Sequence, residues 1–461
     1  FSIILLQLTS PIKGTDSGII NSIIKTAVVP PVLLAVAAVL CYLFIVRGMY
    51  ALEDLPVKKI PRWSKICIEV VMVVFFLHTV QVQGTEIGMW DYIQSVRESS
   101  DFYEKEYVNP AKVKMTFPKE KKNLIYIFME SMESSYADKE DGGTMDDNYI
   151  PNLTKLAREN VQFTDKKDGK VGGPVCLEAT AYTAGGLVAQ TSAINLKVMN
   201  SGAVSDSFLP NLTALGDILN KQGYNQMFLC GSDGDFAGRD AYFKTHKDYQ
   251  IEDYKAAIKE GDIPKDYKVY WGHEDKVLYE RAKKNLKKLS KEGKPFNLTM
   301  LTVDTHFPNG YICDLCENKY DTTYGNAVAC ADRQVYDFVQ WIKKQDFYED
   351  TTIIIAGDHT SMVDTGSKFW KSLSNDYQRT VYNAIINPQC AYKKKVTTKR
   401  KFSTMDMFPT TLAALGVEID GNKLGLGTNL FSGEETLREE LGANYINKEL
   451  KRNDKMYNQF Y

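Results

Sequence analysis

Acidic and imidazole side chains stand directly after four short apolar runs of this chain. The most specific case is the pair Asp358-His359, which follows the run Thr-Thr-Ile-Ile-Ile-Ala-Gly. The other runs lead into Glu130, into Asp304 and His306, and into Asp233 and Asp235. Charged groups at the end of an apolar run are costly to bury unless a partner compensates them. Because carboxylates with one imidazole suit Mn²⁺, Mg²⁺ or Zn²⁺, we predict an enzyme with one divalent cation held by Glu130, Asp358 and His359.

A metal of this kind commonly activates a nucleophile, and Thr183 is the leading candidate. It lies in Ala-Tyr-Thr-Ala-Gly-Gly-Leu, a pattern that predicts a hydroxyl at the start of a small-residue helix. A helix N-terminus favours a developing alkoxide, and its free amides can bind an anion. The same pattern is also typical of an ordinary threonine N-cap. Thr180, Thr191 and Ser192 are alternative nucleophiles, so the residues alone leave the choice open.

The elements that position these groups are predicted to form an α/β fold. Short continuous apolar runs are typical of strands buried on both faces of a parallel sheet, and such sheets bind ligands at the carboxyl ends of their strands. From residue 119 onward, strands alternate with helical patterns, among them a helix over residues 324–344. Pro-Asn-Leu-Thr at residues 151–154 and 210–213 each predicts the start of a helix.

Residues 28–46 and 66–82 are apolar and long enough to cross a bilayer as helices. The loop between them is short and basic, with Arg47, Lys58, Lys59, Arg62 and Lys65, and such loops stay in the cytoplasm. We therefore expect everything after about residue 83 to be extracytoplasmic. Two buried core helices are the alternative interpretation. The balance of 56 basic and 58 acidic residues gives a net charge of −2, which offers no field for nucleic acid.

The predicted organisation has four parts. Residues 1–83 form a membrane region, residues 84–118 a juxtamembrane linker, residues 119–432 an extracytoplasmic catalytic domain, and residues 433–461 a terminal helix or tail. The chain begins with Phe rather than Met inside an apolar run, so we expect it to be a piece of a longer protein.

Three cysteines lie close together in the sequence of the predicted outer domain. Cys313-x-x-Cys316 and Cys330 can form a disulfide, which would persist outside the cytoplasm. A zinc knuckle is the alternative, although no fourth ligand stands at a suitable spacing. We expect a disulfide in preference to a metal.

Several motifs, taken together, carry a family resemblance. They are Ile-Phe-Met-Glu130-Ser, Ala-Tyr-Thr183-Ala-Gly-Gly-Leu-Val-Ala, Thr-Val-Asp-Thr-His306, Ala-Gly-Asp358-His359 and Thr-Met-Asp-Met-Phe-Pro409-Thr. Their order over about residues 120–430 resembles the membrane-anchored phosphoglycerol transferases of the alkaline-phosphatase/sulfatase superfamily. That group includes lipoteichoic acid synthase and the periplasmic glucan phosphoglycerol transferase, and Leu-Gly-Leu-Gly427 with Asn429-Leu430 looks like the glucan-type branch.

The resemblance implies a role for each matching residue. Thr183 would be the nucleophile and a metal ligand, and Glu130, Asp358 and His359 would complete a site for Mn²⁺ or Mg²⁺. His306 would contact the phosphoglycerol group and serve as acid or base, and Arg239 would be a basic substrate contact. Two positions depart from lipoteichoic acid synthase, which has tryptophan where this chain has Ala237 and histidine where it has Cys230.

The implied activity is transfer of phosphoglycerol from phosphatidylglycerol through a glycerophosphoryl-threonine, in an enzyme anchored in a bacterial cell membrane. The acceptor would be a polyglycerolphosphate polymer, a glycolipid or a glucan. A phosphodiesterase or sulfatase of the same superfamily and a phosphoethanolamine transferase are the alternatives. Against a sulfatase, the run Cys176-Leu-Glu-Ala-Thr180 lacks the proline and arginine that formylglycine formation needs. A catalytically inactive surface-binding protein is disfavoured because every catalytic position is filled.

Overall fold

The computed structural model describes residues 62–86, 88–167, 169–197, 207–247, 249–371, 373 and 376–461, together with five positions between residues 29 and 40. The predicted first membrane span, residues 28–46, therefore lies largely outside the described residues. The described chain divides into two compact units, with the boundary in the sequence between Arg97 and Glu98.

The first unit contains the helices Arg62–Glu86 and Met89–Arg97. The predicted second span, residues 66–82, falls inside the longer helix, where side chains such as Val71 and Phe76 are exposed. Within the described part of the chain, no single helix is both long and apolar enough to cross a membrane. One bent pair, Val70–Glu86 with Met89–Ser95, meets the length and composition criteria together, with an angle of 74° between its halves.

A sheet of six strands forms the centre of the second unit. Its spatial order is β5-β4-β6-β3-β7-β8, and every neighbouring pair is parallel except β7 and β8. The strands are β3 (Asn123–Met129), β4 (Asn225–Cys230), β5 (Gln250–Glu252), β6 (Phe296–Leu301), β7 (Thr351–Gly357) and β8 (Asn383–Ile386). This confirms the predicted α/β fold with a mostly parallel sheet. Strand β6 ends at Leu301, and the amides of Val303 and Asp304 beyond it bind the carboxylate of Asp275.

Helices cover both faces of the sheet. Alternate side chains of β3 point to opposite faces and so pack into two different cores. Leu124, Tyr126 and Phe128 pack into one core, which also contains Leu187. Ile125 and Ile127 pack into the other. The principal helices are Pro151–Glu159, Thr183–Ser192, Leu215–Lys221, Arg239–Thr245, Tyr254–Glu260, Asp275–Leu289, Thr323–Ile342 and Met407–Ala414. The long helix before β7 matches its prediction, whereas Pro210 lies in a turn and the next helix begins only at Leu215.

Both ends of the second unit pack into the same core, so residues 118 and 432 do not mark its edges as predicted. The remaining short elements are β1 (Ser99–Ser100), β2 (Met115–Thr116), β9 (Glu418–Ile419), β10 (Lys423–Leu424), β11 (Gly427–Thr428), β12 (Asn453–Asp454), and the helices Phe102–Glu106, Leu437–Leu441 and Ala443–Lys451. Strand β1 pairs with β12, and Tyr103 lies 5.2 Å from Tyr457 between ring centroids. Apolar side chains at both ends, such as Tyr103 and Tyr457, are buried in this core. The two end segments therefore belong to the domain and are not a linker and a tail.

The three clustered cysteines meet beside the helix Thr323–Ile342. Cys316 and Cys330 form a disulfide, which favours the predicted alternative of a disulfide over a zinc knuckle. Cys313 is buried and unbonded, with its Sγ 3.6 Å from that of Cys316 and 4.0 Å from that of Cys330. The bridge fastens the loop that follows β6 to this helix.

Candidate active site

Glu130 is the first residue after β3, and hydrogen bonds hold both its backbone and its side chain. Its N–H donates to Thr302 Oγ1 at 3.0 Å, and the hydroxyl of Thr305 donates to its carbonyl oxygen. In the side chain, Oε1 accepts from Ser131 Oγ at 2.7 Å and Oε2 accepts from Thr183 Oγ1 at 3.2 Å. The loop after β6 therefore fixes the backbone of Glu130, and Ser131 and Thr183 hold its carboxylate.

Asp358 and His359 occupy the equivalent position after the neighbouring strand β7. Asp358 Oδ1 accepts from the amides of Ser131 at 2.8 Å and of His359 at 2.7 Å. The Nδ1 atom of His359 lies 2.8 Å from the carbonyl oxygen of Thr360, so Nδ1–H donates to it. The other ring nitrogen, Nε2, then lies 3.3 Å from Glu130 Oε1 and 3.5 Å from Asp358 Oδ2.

Thr183 is the first residue of the helix Thr183–Ser192, and its Oγ1 lies 3.4 Å from His359 Nε2. The N-cap position belongs to Tyr182, so the hydroxyl of Thr183 does not cap the helix. The alternative nucleophiles are all engaged with nearby backbone carbonyls. Thr180, Thr191 and Ser192 each donate a hydrogen bond to a carbonyl three or four residues earlier in the chain.

Gly186 lets this helix approach the end of β7. A Cβ atom on Gly186 would lie 2.1 Å from the carbonyl oxygen of Asp358 and 2.8 Å from its carbonyl carbon. No side chain fits at that distance, so the helix and the strand end meet backbone to backbone. Gln190, one turn further on, donates to the carbonyl of Gly357 at 2.9 Å. The helix is thereby fixed with Thr183 facing the carboxylates.

The donor set fits a divalent cation. One atom from each of Glu130, Asp358 and His359 lies within 4.8 Å of the other two, and all three residues are buried. Asp358 Oδ2 is buried with no hydrogen-bond partner among the described residues. A buried carboxylate oxygen is costly to leave unpaired, and a cation would satisfy it. Two carboxylates and one imidazole are ligands that hard or borderline divalent ions accept.

Protonation equilibria in the site reflect its excess of negative charge. Burial, with the charge of Glu130, raises the pKa of Asp358 to about 8. Burial disfavours the charged form of His359, but the carboxylates of Asp358 and Glu130 outweigh it and raise its pKa to about 10. Burial would likewise raise the pKa of Glu130, but the imidazoles of His359 and His306 bring it below its usual range. Metal binding would replace the protons that Asp358 and His359 retain.

His306 and Arg239 lie near this cluster without a hydrogen bond to it among the described residues. The His306 ring packs 4.8 Å from that of Trp271, and its Nδ1 lies 2.8 Å from the carbonyl oxygen of Phe307. Burial lowers the pKa of His306, while the nearby charge of Glu130 opposes that effect. Arg239 is buried and donates to Ser232 Oγ at 2.9 Å and to the carbonyl of Asp233 at 2.8 Å.

The two positions that depart from lipoteichoic acid synthase lie beside Arg239. Cys230 ends β4, and its buried thiol points to the carbonyl of Ser232 at 3.4 Å. Burial raises the pKa of this thiol to about 11, so it is protonated at neutral pH. Ala237 adopts a left-handed backbone conformation, with φ of 54°, one residue before Gly238. Ala237 and Arg239 line one small cleft together with Ala184, which belongs to the helix that Thr183 begins. The loop that carries Arg239 therefore lies close to this helix.

Sequence reasoning missed the residues that hold the ligands in place. Ser131 contacts both Glu130 and Asp358, and it adopts a left-handed conformation, with φ of 52°, that its residue type does not signal. The sequence placed Asp304 among the acidic residues that follow apolar runs. In the structure, its carboxylate accepts a hydrogen bond from the amide of Asp275 at 3.1 Å, at the start of a helix. In the sequence, Asp304 and Glu130 both follow an apolar run, so the pattern alone does not distinguish them.

The sulfatase family model matches residues 122–417, which is more than half of the chain, so the chain belongs to this family. Proteins named phosphoglycerol transferase I from Salmonella choleraesuis (strain SC-B67) and Shigella flexneri are each 33% identical over 340 residues, or 71% of this chain. The chain spans only 41% of the length of these relatives.

Solved structures show the same fold at low sequence identity. The lipoteichoic acid synthase LtaP from Listeria monocytogenes is 18% identical with a TM-score of 0.54, covering 69% of this chain and 79% of that one. A protein of the alkaline phosphatase superfamily from Vibrio parahaemolyticus is 22% identical with a TM-score of 0.52, covering 71% of this chain and 75% of that one.

Proposed function

We propose that this protein transfers a phosphoglycerol group from a phosphatidylglycerol lipid to a hydroxyl of an extracytoplasmic acceptor. One observation carries the proposal: the hydroxyl of Thr183 lies at a helix N-terminus, 3.2 Å from Glu130 Oε2 and 3.4 Å from His359 Nε2. A nucleophile held against two metal ligands is the arrangement that group transfer through a covalent intermediate needs. The name shared by the relatives that are 33% identical supports phosphoglycerol as the group transferred.

Glu130, Asp358, His359 and Thr183 would hold one divalent cation, with Mn²⁺ expected and Mg²⁺ or Zn²⁺ as the alternative cations for the same ligands. When bound, it would lower the pKa of the Thr183 hydroxyl and neutralise charge on the phosphoryl oxygens. Thr183 Oγ1 bonds to phosphorus as the bond from phosphorus to the diacylglycerol oxygen breaks, and that oxygen leaves with a proton. The acceptor hydroxyl then loses its proton and bonds to phosphorus as the bond from phosphorus to Thr183 Oγ1 breaks, and Thr183 Oγ1 regains a proton.

His306 would transfer the protons of these steps. Its Nδ1–H donates to the carbonyl of Phe307, so its Nε2 is the free acceptor in the neutral ring. It would take the proton of the acceptor hydroxyl and give one to the leaving oxygen. Arg239, held by three carbonyl and hydroxyl oxygens, would provide a fixed positive charge for the phosphoglycerol group.

The donor lipid explains why the chain would be anchored to a membrane. We propose that residues 28–46 and 66–82 span a bacterial cell membrane and that the catalytic unit lies outside the cytoplasm. Polyglycerolphosphate, a glycolipid and a glucan are the candidate acceptors. The catalytic domain would then meet phosphatidylglycerol at the outer leaflet and release diacylglycerol into it.

The test uses the purified 461-residue chain with Mn²⁺ and fluorescent phosphatidylglycerol. Wild type should release diacylglycerol and, without an acceptor, gain one glycerophosphoryl unit in intact-mass analysis. Thr183→Ala should lose both, since the covalent step has no nucleophile. Thr191→Ala, on the same helix but bonded to the Leu187 carbonyl, is the matched control and should retain both. Activity surviving in Thr183→Ala would refute the assignment, and glycerol phosphate release independent of acceptor would indicate a hydrolase.

A further inference from the structure

Glu133 is a fully buried carboxylate three residues after Glu130. Its backbone pairs with that of Val381, just before β8. Its two carboxylate oxygens accept hydrogen bonds from the hydroxyl of Ser135 and from Nε and Nη2 of Arg379. A buried charge is costly unless it is paired, and the guanidinium group of Arg379 provides that pairing.

Ser361, two residues after His359, is held at three of its atoms. Its N–H donates to Glu133 Oε1 at 2.7 Å, and its carbonyl oxygen accepts from Arg379 Nη2 at 2.7 Å. Its hydroxyl oxygen accepts from the hydroxyl of Tyr324 at 2.9 Å. A buried ion pair and a buried hydroxyl group therefore fix the loop that follows the metal ligands.

One peptide group connects Glu133 to the imidazole ring of His359. The N–H of Ser361 and the carbonyl of Thr360 belong to the same peptide bond, and this carbonyl accepts from His359 Nδ1 at 2.8 Å. In a trans peptide the carbonyl and the N–H point in opposite directions, so the imidazole and the carboxylate bind it from opposite sides. A continuous hydrogen-bond chain therefore runs from Glu133 Oε1 through this peptide group to His359 Nδ1.

This hydrogen-bond chain acts on the ring nitrogen that would bind a cation. Hydrogen bonds in a chain polarise one another, so a carboxylate on the peptide N–H makes the carbonyl of the same peptide a stronger acceptor. The stronger acceptor keeps a proton on Nδ1 of His359, which orients the ring and leaves the lone pair of Nε2 for a metal bond. Hydrogen-bond partners of this kind also raise the basicity of a ligating imidazole.

We propose that Glu133 is a positioning residue of the cation site, which acts on His359 through the peptide group that both residues contact. Arg379 holds the carboxylate of Glu133 in place for that contact. The guanidinium carbon of Arg379 lies 4.7 Å from the centroid of the buried Trp370 ring, which fixes its other side. The inference rests on the cation site of the proposed function and does not depend on which group is transferred.

The double variant Glu133→Gln/Arg379→Gln removes both charges together, so neither is left buried without its partner. Its Mn²⁺ affinity, measured by calorimetry, should fall about 10- to 100-fold, the typical cost of losing a partner that orients a metal ligand. Glu133→Gln alone removes the same carboxylate and should show the same loss, so either variant decides the question if the other does not fold. The matched control Glu252→Gln/Arg281→Gln removes another buried ion pair, at the end of the edge strand β5, and should keep the wild-type affinity.

A spectroscopic measurement separates this role from general support of the loop. The chain contains five histidines, and isotope labelling of their rings with Zn²⁺ bound makes the Nδ1–H proton signal of His359 observable by NMR. The position of that signal reports the strength of the hydrogen bond to the carbonyl of Thr360. The signal, assigned by its loss in His359→Gln, should move upfield in both Glu133 variants and stay in place in the control. An unchanged signal or an unchanged Mn²⁺ affinity would refute the proposal.

These measurements need no substrate, so they distinguish this proposal from the proposed transfer. The expected losses in the Glu133 variants, without any cleavage of phosphatidylglycerol by wild type, would support the positioning role and refute the transfer. Cleavage by wild type together with wild-type Mn²⁺ affinity in the variants would refute the positioning role alone. A wild-type chain that binds neither Mn²⁺ nor Zn²⁺ would refute the cation site and the positioning role with it.

Discussion

The substitution Gly186→Ala tests whether the backbone contact between the helix Thr183–Ser192 and the end of β7 positions Thr183 against Asp358. In the middle of an ordinary helix, this change stabilises a protein by up to about 1 kcal/mol. Here the added methyl group would lie 2.1 Å from the carbonyl oxygen of Asp358, against ordinary contacts of 3.4–4 Å. The overlap is with backbone on both sides, so no flexible side chain can move away.

The expected effect follows from that overlap. The helix and the strand end must separate by roughly 1 Å, and overpacking of this kind costs about 1–3 kcal/mol of unfolding free energy. Activity should fall further than stability, because a ~1 Å misplacement at a reacting centre can cost about 100-fold in rate. Thr183 begins the helix and Asp358 directly follows the strand. Separation of the helix from the strand end therefore changes the distance between these two residues.

Two measurements separate these effects. Urea unfolding gives the change in stability, and diacylglycerol release at 25 °C, where the variant remains folded, gives the change in rate. Gly366→Ala is the matched control, because a Cβ there would lie 3.4 Å from Asp364 Oδ1, an ordinary contact. Wild-type stability and rate in Gly186→Ala would show that the backbone contact does not position Thr183.

Three further predictions concern the metal, the cysteines and pH. Asp358→Asn should weaken Mn²⁺ binding at least ~100-fold in calorimetry, and an unchanged affinity would remove this residue from the ligand set. Non-reducing peptide mapping should give a Cys316–Cys330 crosslink with Cys313 labelled only after unfolding; stoichiometric zinc would contradict it. Burial lowers the pKa of His273 from 6.5 to about 4, so the unfolded chain binds the extra proton and stability falls as pH drops through that interval. Urea titrations should show that His273→Gln loses about 3 kcal/mol less unfolding free energy than wild type between pH 7 and 4. Parallel curves of unfolding free energy against pH for the two proteins would contradict this.

The sheet and the clustering of Glu130, Asp358 and His359 could be predicted because both follow from local sequence. Buried parallel strands appear as continuous apolar runs, and their carboxyl ends must meet at one edge. Glu130, Asp358 and His359 therefore converge as expected. Thr183 required more than a pattern, because only the structure shows that Tyr182 takes the N-cap position and that the competing hydroxyls bond to nearby backbone carbonyls.

What could not be predicted depends on contacts between distant parts of the chain. Ser131 supports two ligands through a left-handed backbone conformation that serine rarely adopts. The end of β6 is set by a carboxylate 28 residues earlier, because Asp275 takes the amide of Val303 at 2.7 Å. The membership of residues 433–461 in the domain depends on burial of Ile446 and Tyr457 against a core that begins more than 300 residues earlier. No local window contains that information.

Asp275 and Asp358 show how the same residue type serves two purposes at one edge of the sheet. Both are fully buried, and burial raises the pKa of each. Both carboxylate oxygens of Asp275 accept backbone amides, at 2.7 and 3.1 Å, so this residue fixes the loop that carries His306 and has no oxygen left for a ligand. Asp358 gives one oxygen to two amides and leaves the other without a partner, facing the imidazole and carboxylate of its neighbours. Burying an unpaired oxygen destabilises the fold unless something binds it, which is the physical reason to place a cation there.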